Sequence, residues 1–293
     1  MTAAVHTVHT DDDEPLAYAV HGGGAATPIL TTHGLVSSGQ HWQAFVPHFA
    51  ATRPVVSWDY RGHGGLPAPR APAAISVARF ADDGAAVWRA AAQPPAVVVG
   101  LSFGVQVALE LWRRHPAAVR ALVLICGTPG HPLDRLSPAP GLRRAAASAM
   151  RWLGARPALV ARLVAPLRAP LGVRVARELA YLSGGAHRAQ CPVDVLEGLF
   201  AHVASLDPAV IAAVTAAYFE HDASDVLASI TVPTLIIAGD RDQLTPVAIA
   251  ERMQRAIAGS RLVVFPGHSH LVQVERPADV HAAIDGFLAE HRL

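Results

Sequence analysis

The segment that most limits how this chain can fold is a serine turn set between an apolar run and a helical pattern. Ala96–Gly100 is continuously apolar, which is typical of a strand buried on both faces of a sheet. Phe103–His115 has the spacing of a helix, and the five residues GLSFG join the two with no loop between them. A strand that runs directly into a helix requires a sharp, strained turn, which lifts the apex side chain out of the sheet at a helix N-terminus. The sequence therefore predicts that Ser102, at the apex, is a nucleophile.

Short apolar runs and helical patterns alternate on both sides of this turn. The predicted strands are Val5–Thr10, Leu16–His21, Pro28–Thr32, Val55–Asp59, Ala96–Gly100, Ala121–Ile125, Thr234–Gly239 and Arg261–Phe265. The predicted helices of this part are Gln40–Ala51, Ser76–Ala92, Phe103–His115, Pro246–Ala258 and Pro277–Glu290. The first two strands flank a polar turn and are predicted to form a hairpin. Alternation of this kind implies right-handed βαβ units, so we expect an α/β fold with a mostly parallel sheet.

The alternation is interrupted once, between the strands that end at Ile125 and begin at Thr234. From 130 to 224 the pattern is helical, is broken by prolines and contains no convincing strand. We therefore expect one α/β core formed by residues 1–129 and 225–293, with an all-helical insertion at 130–224.

Composition excludes several classes of function. The 293 residues carry a net charge of +1, which is too balanced to indicate a nucleic-acid partner. Hydrophobic residues make up 52% and charged residues 16%, as expected for a sheet buried on both faces rather than a disordered chain. All 24 basic residues are arginine, so neither a lysine Schiff base nor a phosphate-binding P-loop lysine is available.

Cysteine use and terminal sequence indicate the compartment. Cys126 and Cys191 are too few for a disulfide framework and lack metal-ligand spacing, so we expect two reduced thiols and no metal. The polar, acidic segment Met1–Glu14 does not resemble a secretory signal, and no run of 18 or more apolar residues is free of charge. The sequence therefore predicts a cytoplasmic protein without a transmembrane segment.

Taken together, the GLSFG turn, the element order and the single helical insertion resemble the α/β-hydrolase fold superfamily over nearly the whole chain. The resemblance implies an eight-stranded, mostly parallel sheet flanked by helices, an all-helical cap and no cofactor. Val105 departs from the pattern, since many members have another glycine at that position.

The resemblance also implies an oxyanion hole. In the family, a His-Gly turn after the strand that corresponds to Pro28–Thr32 supplies one backbone N–H, and here that turn makes Leu35 the donor. The second donor is the N–H of Phe103, which follows the nucleophile. Gly34 allows the substrate to approach the backbone. Negative charge that develops on a carbonyl oxygen needs such donors, each worth about 3–4 kcal/mol.

Two histidines compete for the role of general base in the turn Pro266–His270. In the family, the catalytic histidine is often followed five and seven residues later by Glu and Pro. His270 has this spacing to Glu275 and Pro277, whereas His268 does not. The resemblance therefore favours His270, with His268 as a loop residue.

Three aspartates compete for the role of the acid that orients the base. The family usually places it in a G-x-x-D turn before a proline, and Asp242 fits that pattern in GDRDQLTP, with Asp240 two residues earlier. Asp134 follows the strand Ala121–Ile125, where some members carry their acid. Asp242 is the preferred candidate, and the chain order Ser, Asp, His agrees with this fold.

The segment DYRGHG resembles a turn that recurs in the family. Asp59 and His63 are candidate catalytic residues there. The preferred interpretation is structural, with Asp59 and Arg61 fixing the turn through charge-assisted hydrogen bonds. The triad is complete without either candidate.

The insertion bears on the substrate. Residues 142–177 contain eight arginines and no acid, which favours amphipathic helices with arginine on the polar faces. An anionic-substrate site and an interfacial helix in contact with lipid remain as sharper alternatives. The residues predicted to line an apolar pocket, or else to pack in the core, are Trp152, Leu153, Tyr181, Leu182, Leu199 and Phe200.

The sequence thus predicts a serine esterase that acts on a small-molecule substrate, an apolar acyl ester, through Ser102, His270 and Asp242. A lactonase, a carbon–carbon bond hydrolase and a cofactor-free perhydrolase with the same triad remain as alternatives. A ligand-binding receptor of the same fold is the alternative that is not an enzyme. The pattern does not predict the oligomeric state.

Overall fold

The computed structural model describes residues 3–132 and 140–293. Its centre is an eight-stranded sheet in the order β1-β2-β4-β3-β5-β6-β7-β8. β1 pairs antiparallel with β2, and β2 pairs antiparallel with β4, whereas every other neighbouring pair is parallel. The predicted mostly parallel sheet and its N-terminal hairpin are confirmed.

The strands agree closely with the apolar runs. They are β1 Val5–His9, β2 Pro15–His21, β3 Ile29–Thr32, β4 Val55–Trp58, β5 Ala96–Leu101, β6 Val119–Ile125, β7 Thr234–Gly239 and β8 Arg261–Phe265. The helices are α1 Phe45–Ala50, α2 Val77–Ala90, α3 Phe103–Arg114, α4 Pro140–Gly154, α5 Pro157–Val164, α6 Pro170–Leu182, α7 Val193–Ser205, α8 Pro208–Glu220, α9 Val247–Ala256, α10 Val272–Glu275 and α11 Pro277–Glu290.

The predicted helix Gln40–Ala51 is wrong in its first half. A short 3₁₀ turn covers Gly39–Trp42, and the α-helix begins only at Phe45. Pro47 explains the difference, because a proline inside a helix clashes with the carbonyl four residues earlier and is tolerated only in the first turn. The helix therefore starts late enough to place Pro47 at its third position.

The sheet separates two apolar layers, which explains why its central strands are continuously apolar. Val97 and Val99 of β5 pack with α1 and α11, whereas Val98 packs on the opposite side with α2 and α3. Successive side chains of a strand point to opposite faces, so a strand covered by helices on both sides needs apolar residues at every position.

Five helices, α4 to α8, lie between β6 and β7, and the described part of 130–224 contains no strand. α8 is tied to the core, since Val210, Val214 and Ala217 belong to the apolar layer formed with α2 and α3. In the described part of the chain, no single helix is long and apolar enough to span a membrane. α7 and α8 pass that test only as a pair, and they meet at a 111° bend.

The turn after β4 is held by one buried ion-pair network. Arg61 is fully buried and donates from Nε and Nη2 to Asp83 of α2 at 2.7 and 2.6 Å, and from Nη1 to Asp12 at 2.9 Å. Arg61 therefore makes the expected charge-assisted bonds, but Asp59 is not part of them. The sequence could not show this because Arg61 and Asp83 are brought together only by the packing of α2 on the sheet.

The buried Asp59 carboxyl is expected to make the free energy of unfolding depend on pH. Burial raises its pKa from an ordinary value of 3.8 to about 6. The folded protein thus binds this proton more tightly than the unfolded chain, so the free energy of unfolding falls as pH rises between about 4 and 6. We expect Asp59→Asn to remove this loss, so that its stability relative to the unmodified protein increases over that interval and is constant above it. Urea unfolding at several pH values measures the difference, and a constant difference from pH 4 to 6 would contradict the prediction.

Close packing at Gly104 joins α3 to β3. A Cβ added to Gly104 would lie 2.2 Å from the carbonyl oxygen of Thr32, whereas a Cβ at Gly286 of α11 would contact nothing within 4 Å. We expect Gly104→Ala to lower the free energy of unfolding by at least about 2 kcal/mol, because backbone must move. The matched change Gly286→Ala is expected to raise it by about 0.5–1 kcal/mol through helix propensity. Chemical denaturation measures both, and equal effects would be inconsistent with the close approach.

Candidate active site

Ser102 occupies the strained junction that the sequence predicts. It lies between β5 and α3 with φ 55° and ψ −115°, and a non-glycine residue rarely adopts a positive φ. Its backbone N–H donates to the carbonyl oxygen of Ile125, at the end of β6, at 2.9 Å, and this bond ties the turn to the neighbouring strand. The turn presents the hydroxyl at the N-terminal end of α3, where the helix dipole favours negative charge.

His270 brings a ring nitrogen to this hydroxyl. It lies in the turn after β8, and its Nε2 is 2.9 Å from Ser102 Oγ. Its Nδ1 lies 2.8 Å from Oδ2 of Asp242. A carboxylate only accepts, so the imidazole carries its proton on Nδ1 and leaves Nε2 free to accept from the serine. The structure therefore brings the predicted nucleophile, base and acid into one continuous chain of hydrogen bonds.

The Asp242 carboxylate is buried and fully supplied with donors. The N–H groups of Leu244 and Thr245 donate to Oδ1 at 2.7 and 2.9 Å, and the Thr245 hydroxyl donates to Oδ2 at 2.7 Å. Burial acts to raise the pKa of Asp242, but the charge of His270 and these hydrogen bonds outweigh it and hold the pKa below its usual value. Asp242 is consequently ionised and can stabilise an imidazolium at His270.

Thr245 was not among the sequence candidates. Besides its bond to Asp242, its hydroxyl lies 3.3 Å from Nδ1 of His270. The signal that could have identified it is local, since a threonine three residues after an aspartate in a turn often closes that turn through its backbone and hydroxyl.

The competing candidates have other positions. Asp240 is exposed and accepts from the N–H of Gly267 at 2.6 Å, which ties the turn after β7 to the turn after β8. His268 is buried with its Nδ1 3.4 Å from Glu275. Neither contacts the Ser102 hydroxyl. Asp134 lies outside the described residues.

Glu275 explains the spacing that selected His270. Its buried carboxylate accepts from the N–H of His187 at 2.7 Å and from the N–H of Ser269 at 3.0 Å, and it also accepts from the Ser269 hydroxyl. The glutamate five residues after the histidine therefore fixes the loop that carries it. The same carboxylate connects this loop to the segment after α6.

The two residues predicted to supply the oxyanion donors, Leu35 and Phe103, belong to the turns around Ser102. Phe103 is the first residue of α3, so its N–H has no intrahelical acceptor. Gly34 and Leu35 line the same cavity as Ser102, and a Cβ added to Gly34 would lie 3.7 Å from Cβ of Ser102. This packing brings the turn after β3 against the serine turn.

A cavity of about 390 Å³ opens at the serine. Ser102, His270, Gly34 and His41 are among its lining residues. The lining is otherwise largely apolar, and these residues are Leu35, Leu101, Pro132, Ala180, Leu196, Leu199, Phe200, Tyr218, Phe219, Leu244 and Leu271. A carbonyl compound with apolar substituents therefore fits the chemistry of the walls.

Of the predicted pocket residues, Leu199 and Phe200 line this cavity, whereas Trp152, Leu153, Tyr181 and Leu182 do not. Trp152 is 55% exposed on α4, and the Arg156 guanidinium lies over its ring at 4.0 Å. Tyr181 packs beside Cys191 and Leu196, with Arg188 over its ring at 4.8 Å, and it contributes to a separate polar pocket. Gly34, by contrast, lies where it was expected.

Buried histidines near the site stay neutral. Burial, together with the nearby charges of His270 and His202, lowers the pKa of His41 to about 4. Burial also lowers the pKa of His63 to about 4, and His63 lies near His33 and His202 with ring centroids 5.9 and 5.8 Å away. These rings add no positive charge at neutral pH. Within residues 3–132 and 140–293, no group of three His, Cys, Asp or Glu side chains could hold a metal ion.

Comparison with known proteins identifies one family. The model of the alpha/beta hydrolase fold matches residues 27–277. A pimeloyl-[acyl-carrier protein] methyl ester esterase of Aromatoleum aromaticum is 28% identical over 261 residues, which cover 88% of this chain and 96% of that protein. Protein ABHD8 of Bos taurus is 26% identical over 286 residues, and the match spans 96% of this chain but only 60% of that protein. The crystal structure of a hydrolase from Pseudomonas aeruginosa PA01 superposes with a TM-score of 0.75 at 26% identity, covering 98% of this chain and 99% of that one.

The different positions of Asp242 and Asp240 predict different effects on the serine. We expect Asp242→Asn to slow covalent labelling of Ser102 by a fluorophosphonate by on the order of 10³–10⁴-fold, because an amide no longer fixes the productive tautomer of His270. Asp240→Asn is the matched control and is expected to leave the labelling rate nearly unchanged, since Asp240 bonds only to the loop. Intact-mass spectrometry over time measures both rates. Equal rates in the two variants would show that Asp242 does not orient the base.

Proposed function

The chain belongs to the alpha/beta hydrolase fold family, and from this premise we propose that it hydrolyses carboxylic esters through Ser102, His270 and Asp242. The observation that carries the proposal is the Ser102–His270–Asp242 chain of hydrogen bonds, with separations of 2.9 and 2.8 Å, at the mouth of an apolar cavity. Nucleophile and base are thereby within proton-transfer distance, and the orienting acid is within hydrogen-bond distance of the base.

The proposed reaction has two halves. Ser102 Oγ attacks the ester carbonyl while Nε2 of His270 takes the hydroxyl proton, and the resulting imidazolium is stabilised by Asp242. His270 then gives this proton to the departing alcohol, which leaves an acyl group on Ser102. Water attacks that acyl group with His270 again as the base, and the acid is released as the serine is restored.

The N–H groups of Leu35 and Phe103 are proposed to bind the oxyanion in both halves. Negative charge forms on the carbonyl oxygen only as the tetrahedral state is reached, so donors placed there lower the barrier rather than the ground state. Since the donors are backbone groups in turns fixed by β3 and α3, little reorganisation is needed during the reaction.

The substrate is proposed to have an apolar acyl group of small to moderate size. Leu196, Leu199 and Phe200 of α7 and Tyr218 and Phe219 of α8 face the cavity and make its walls largely apolar. The similarity to a protein named as a methyl ester esterase supports an ester as the bond that is cleaved. We further propose that residues 130–224 are a cap on a core formed by 1–129 and 225–293, because α6, α7 and α8 contribute to the cavity from outside the sheet.

A panel of soluble esters of graded acyl length tests the proposed function directly. We expect Ser102→Ala to lower kcat by on the order of 10⁴–10⁶-fold, because no other group can form the acyl intermediate. Ser260→Ala, which lies far along the chain in the turn before β8, is the matched control and is expected to keep full turnover. Stopped assays with purified protein, together with mass detection of the acylated serine, measure the two outcomes.

Two results would contradict the proposal in distinguishable ways. Undiminished ester turnover by the Ser102→Ala variant would show that another group performs the chemistry. Tight ligand binding without turnover, and without fluorophosphonate labelling of Ser102, would instead favour a ligand-binding protein that keeps the fold.

A further inference from the structure

The helix α6 carries large apolar side chains on its outer surface. Leu171, Val175, Leu179 and Leu182, here named the α6 stripe, are 73%, 52%, 59% and 73% exposed. Their spacing of four, four and three residues places them on one side of the helix at about 100° per residue. Isolated exposed leucines are ordinary, but a continuous stripe over three turns is a feature of surfaces that bind something.

The exposed large hydrophobic side chains, of which the stripe is a part, are concentrated in one part of the molecule. Among the described residues, seven of the nine large hydrophobic side chains that are exposed lie between 152 and 193, and only Val5 and Val264 lie elsewhere. No residue of α6 itself is buried. The stripe is therefore not used to pack α6 against the described rest of the protein, whereas Tyr181 of the same helix packs beside Cys191 and Leu196.

Positive charge flanks the stripe. Arg168, directly before α6, and Arg174, within it, are exposed, and no carboxylate of the described residues pairs with either of them. Glu178, the one acid of α6, is already engaged by Arg177 and Arg188. In sequence, residues 142–177 contain eight arginines and no acid. A partner that complements this surface therefore has both an apolar region and negative charge.

A second copy of the chain does not meet that requirement. A two-fold interface places the same surface against itself, so the arginines beside one stripe would approach the identical arginines of the other copy. The carboxylate nearest in sequence, Glu178, is occupied. Like charges without counter-charges oppose such an association.

We propose that the α6 stripe, with Arg168 and Arg174, docks this protein on an anionic lipid surface. The four aliphatic side chains enter the boundary between headgroups and acyl chains, and the two guanidinium groups bind lipid phosphates. This is a peripheral contact by one helix lying in the plane of the surface, and it does not depend on the proposed ester hydrolysis.

The docked helix also forms a wall of the active-site cavity. Ala180, near its end, and Ser183, just after it, line the cavity that opens at Ser102. Contact with lipid at the outer face of α6 therefore lies within one helix diameter of the site, which is about 10–12 Å. If ester hydrolysis also holds, amphiphilic esters held in such a surface would be presented next to the cavity.

Binding is tested with the full chain and vesicles of defined composition. We expect co-sedimentation with vesicles that contain phosphatidylglycerol and much weaker co-sedimentation with pure phosphatidylcholine, and we expect the former to weaken as salt is raised. An arginine near an anionic leaflet strengthens partitioning by about fivefold, so Arg168→Gln with Arg174→Gln should weaken it by on the order of 25-fold. Arg89→Gln with Arg252→Gln removes equal charge from exposed, unpaired positions elsewhere in the described chain and should have little effect.

The apolar contribution has its own matched pair of variants. Leu171→Ser removes a side chain that is 73% exposed from the stripe, and Val5→Ser removes one that is 72% exposed from the edge strand β1. We expect only the former to lower vesicle binding, by on the order of tenfold, while both keep the turnover of a soluble ester and the thermal stability of the unmodified protein.

Three outcomes would overturn the proposal. Absence of binding to phosphatidylglycerol vesicles at low salt is the first, and equal loss in the stripe variants and their controls is the second. The third is a concentration-dependent dimer in sedimentation velocity that Leu171→Ser abolishes, which would identify a second copy as the occupant. Absence of ester turnover by the unmodified protein, together with full vesicle binding, would overturn the proposed hydrolysis and leave the docking surface intact, so the two hypotheses can fail independently.

Discussion

The strained turn at Ser102 is the constraint on which the rest of the site depends. A non-glycine residue at φ 55° and ψ −115° costs of order 1–3 kcal/mol, so the surroundings must hold it. They do so through close backbone contacts: a Cβ at Gly100 would lie 2.6 Å from the carbonyl oxygen of Gly104, and Thr32 Oγ1 donates to that same oxygen at 2.9 Å. Val36 and Cys126, which follow the neighbouring strands β3 and β6, also have positive φ. Three of the six non-glycine residues with positive φ in the described chain thus follow three adjacent parallel strands, where the turns that form the site meet.

The partners of Ser102 are placed by a second set of constraints, at β7 and β8. Asp242 and His270 lie in turns that carry no regular structure of their own, and buried or shared carboxylates hold those turns in position. Asp240 bonds to the backbone of the histidine turn, and Glu275 accepts from three donors around it. Asp240, which competes with Asp242 in the sequence, therefore serves the geometry of the histidine turn and does not contact His270 or Ser102. A sequence does not distinguish an aspartate that accepts only from a backbone N–H from one that accepts from an imidazole. Only the second can orient a histidine base.

The features predicted from sequence alone are those set by local pattern. β7, β8 and α11 were predicted with their observed bounds or nearly so, because apolar periodicity and flanking turn residues are read within a few positions. Ser102, His270 and Asp242 could be proposed from turns at strand ends, which is also local information. Contacts between distant segments were not predicted, because they depend on how the elements pack. They are the Arg61–Asp83 ion pair, the contacts of the Thr245 hydroxyl with acid and base, and the hydrogen bond from the segment after α6 to Glu275. Pro47 shows the converse, since a proline within a predicted helix is local information, and it accounts for the late start of α1.

The insertion is where pattern and structure differ most, and α6 shows why. An amphipathic helix is ordinarily assumed to turn its large apolar side chains inward, which is the assumption behind the prediction that Trp152 and Tyr181 line the pocket. In α6 the four large side chains of the stripe face outward, and Tyr181 packs beside Cys191 and Leu196. The small residue Ala180, with Ser183 and Gly185 just after the helix, lines the cavity. Small residues at the cavity leave space for a substrate, and the large side chains of the outer stripe need a partner that is itself apolar. A helix between two such environments has no unambiguous buried face, so periodicity alone could not reveal which side belongs to the active site.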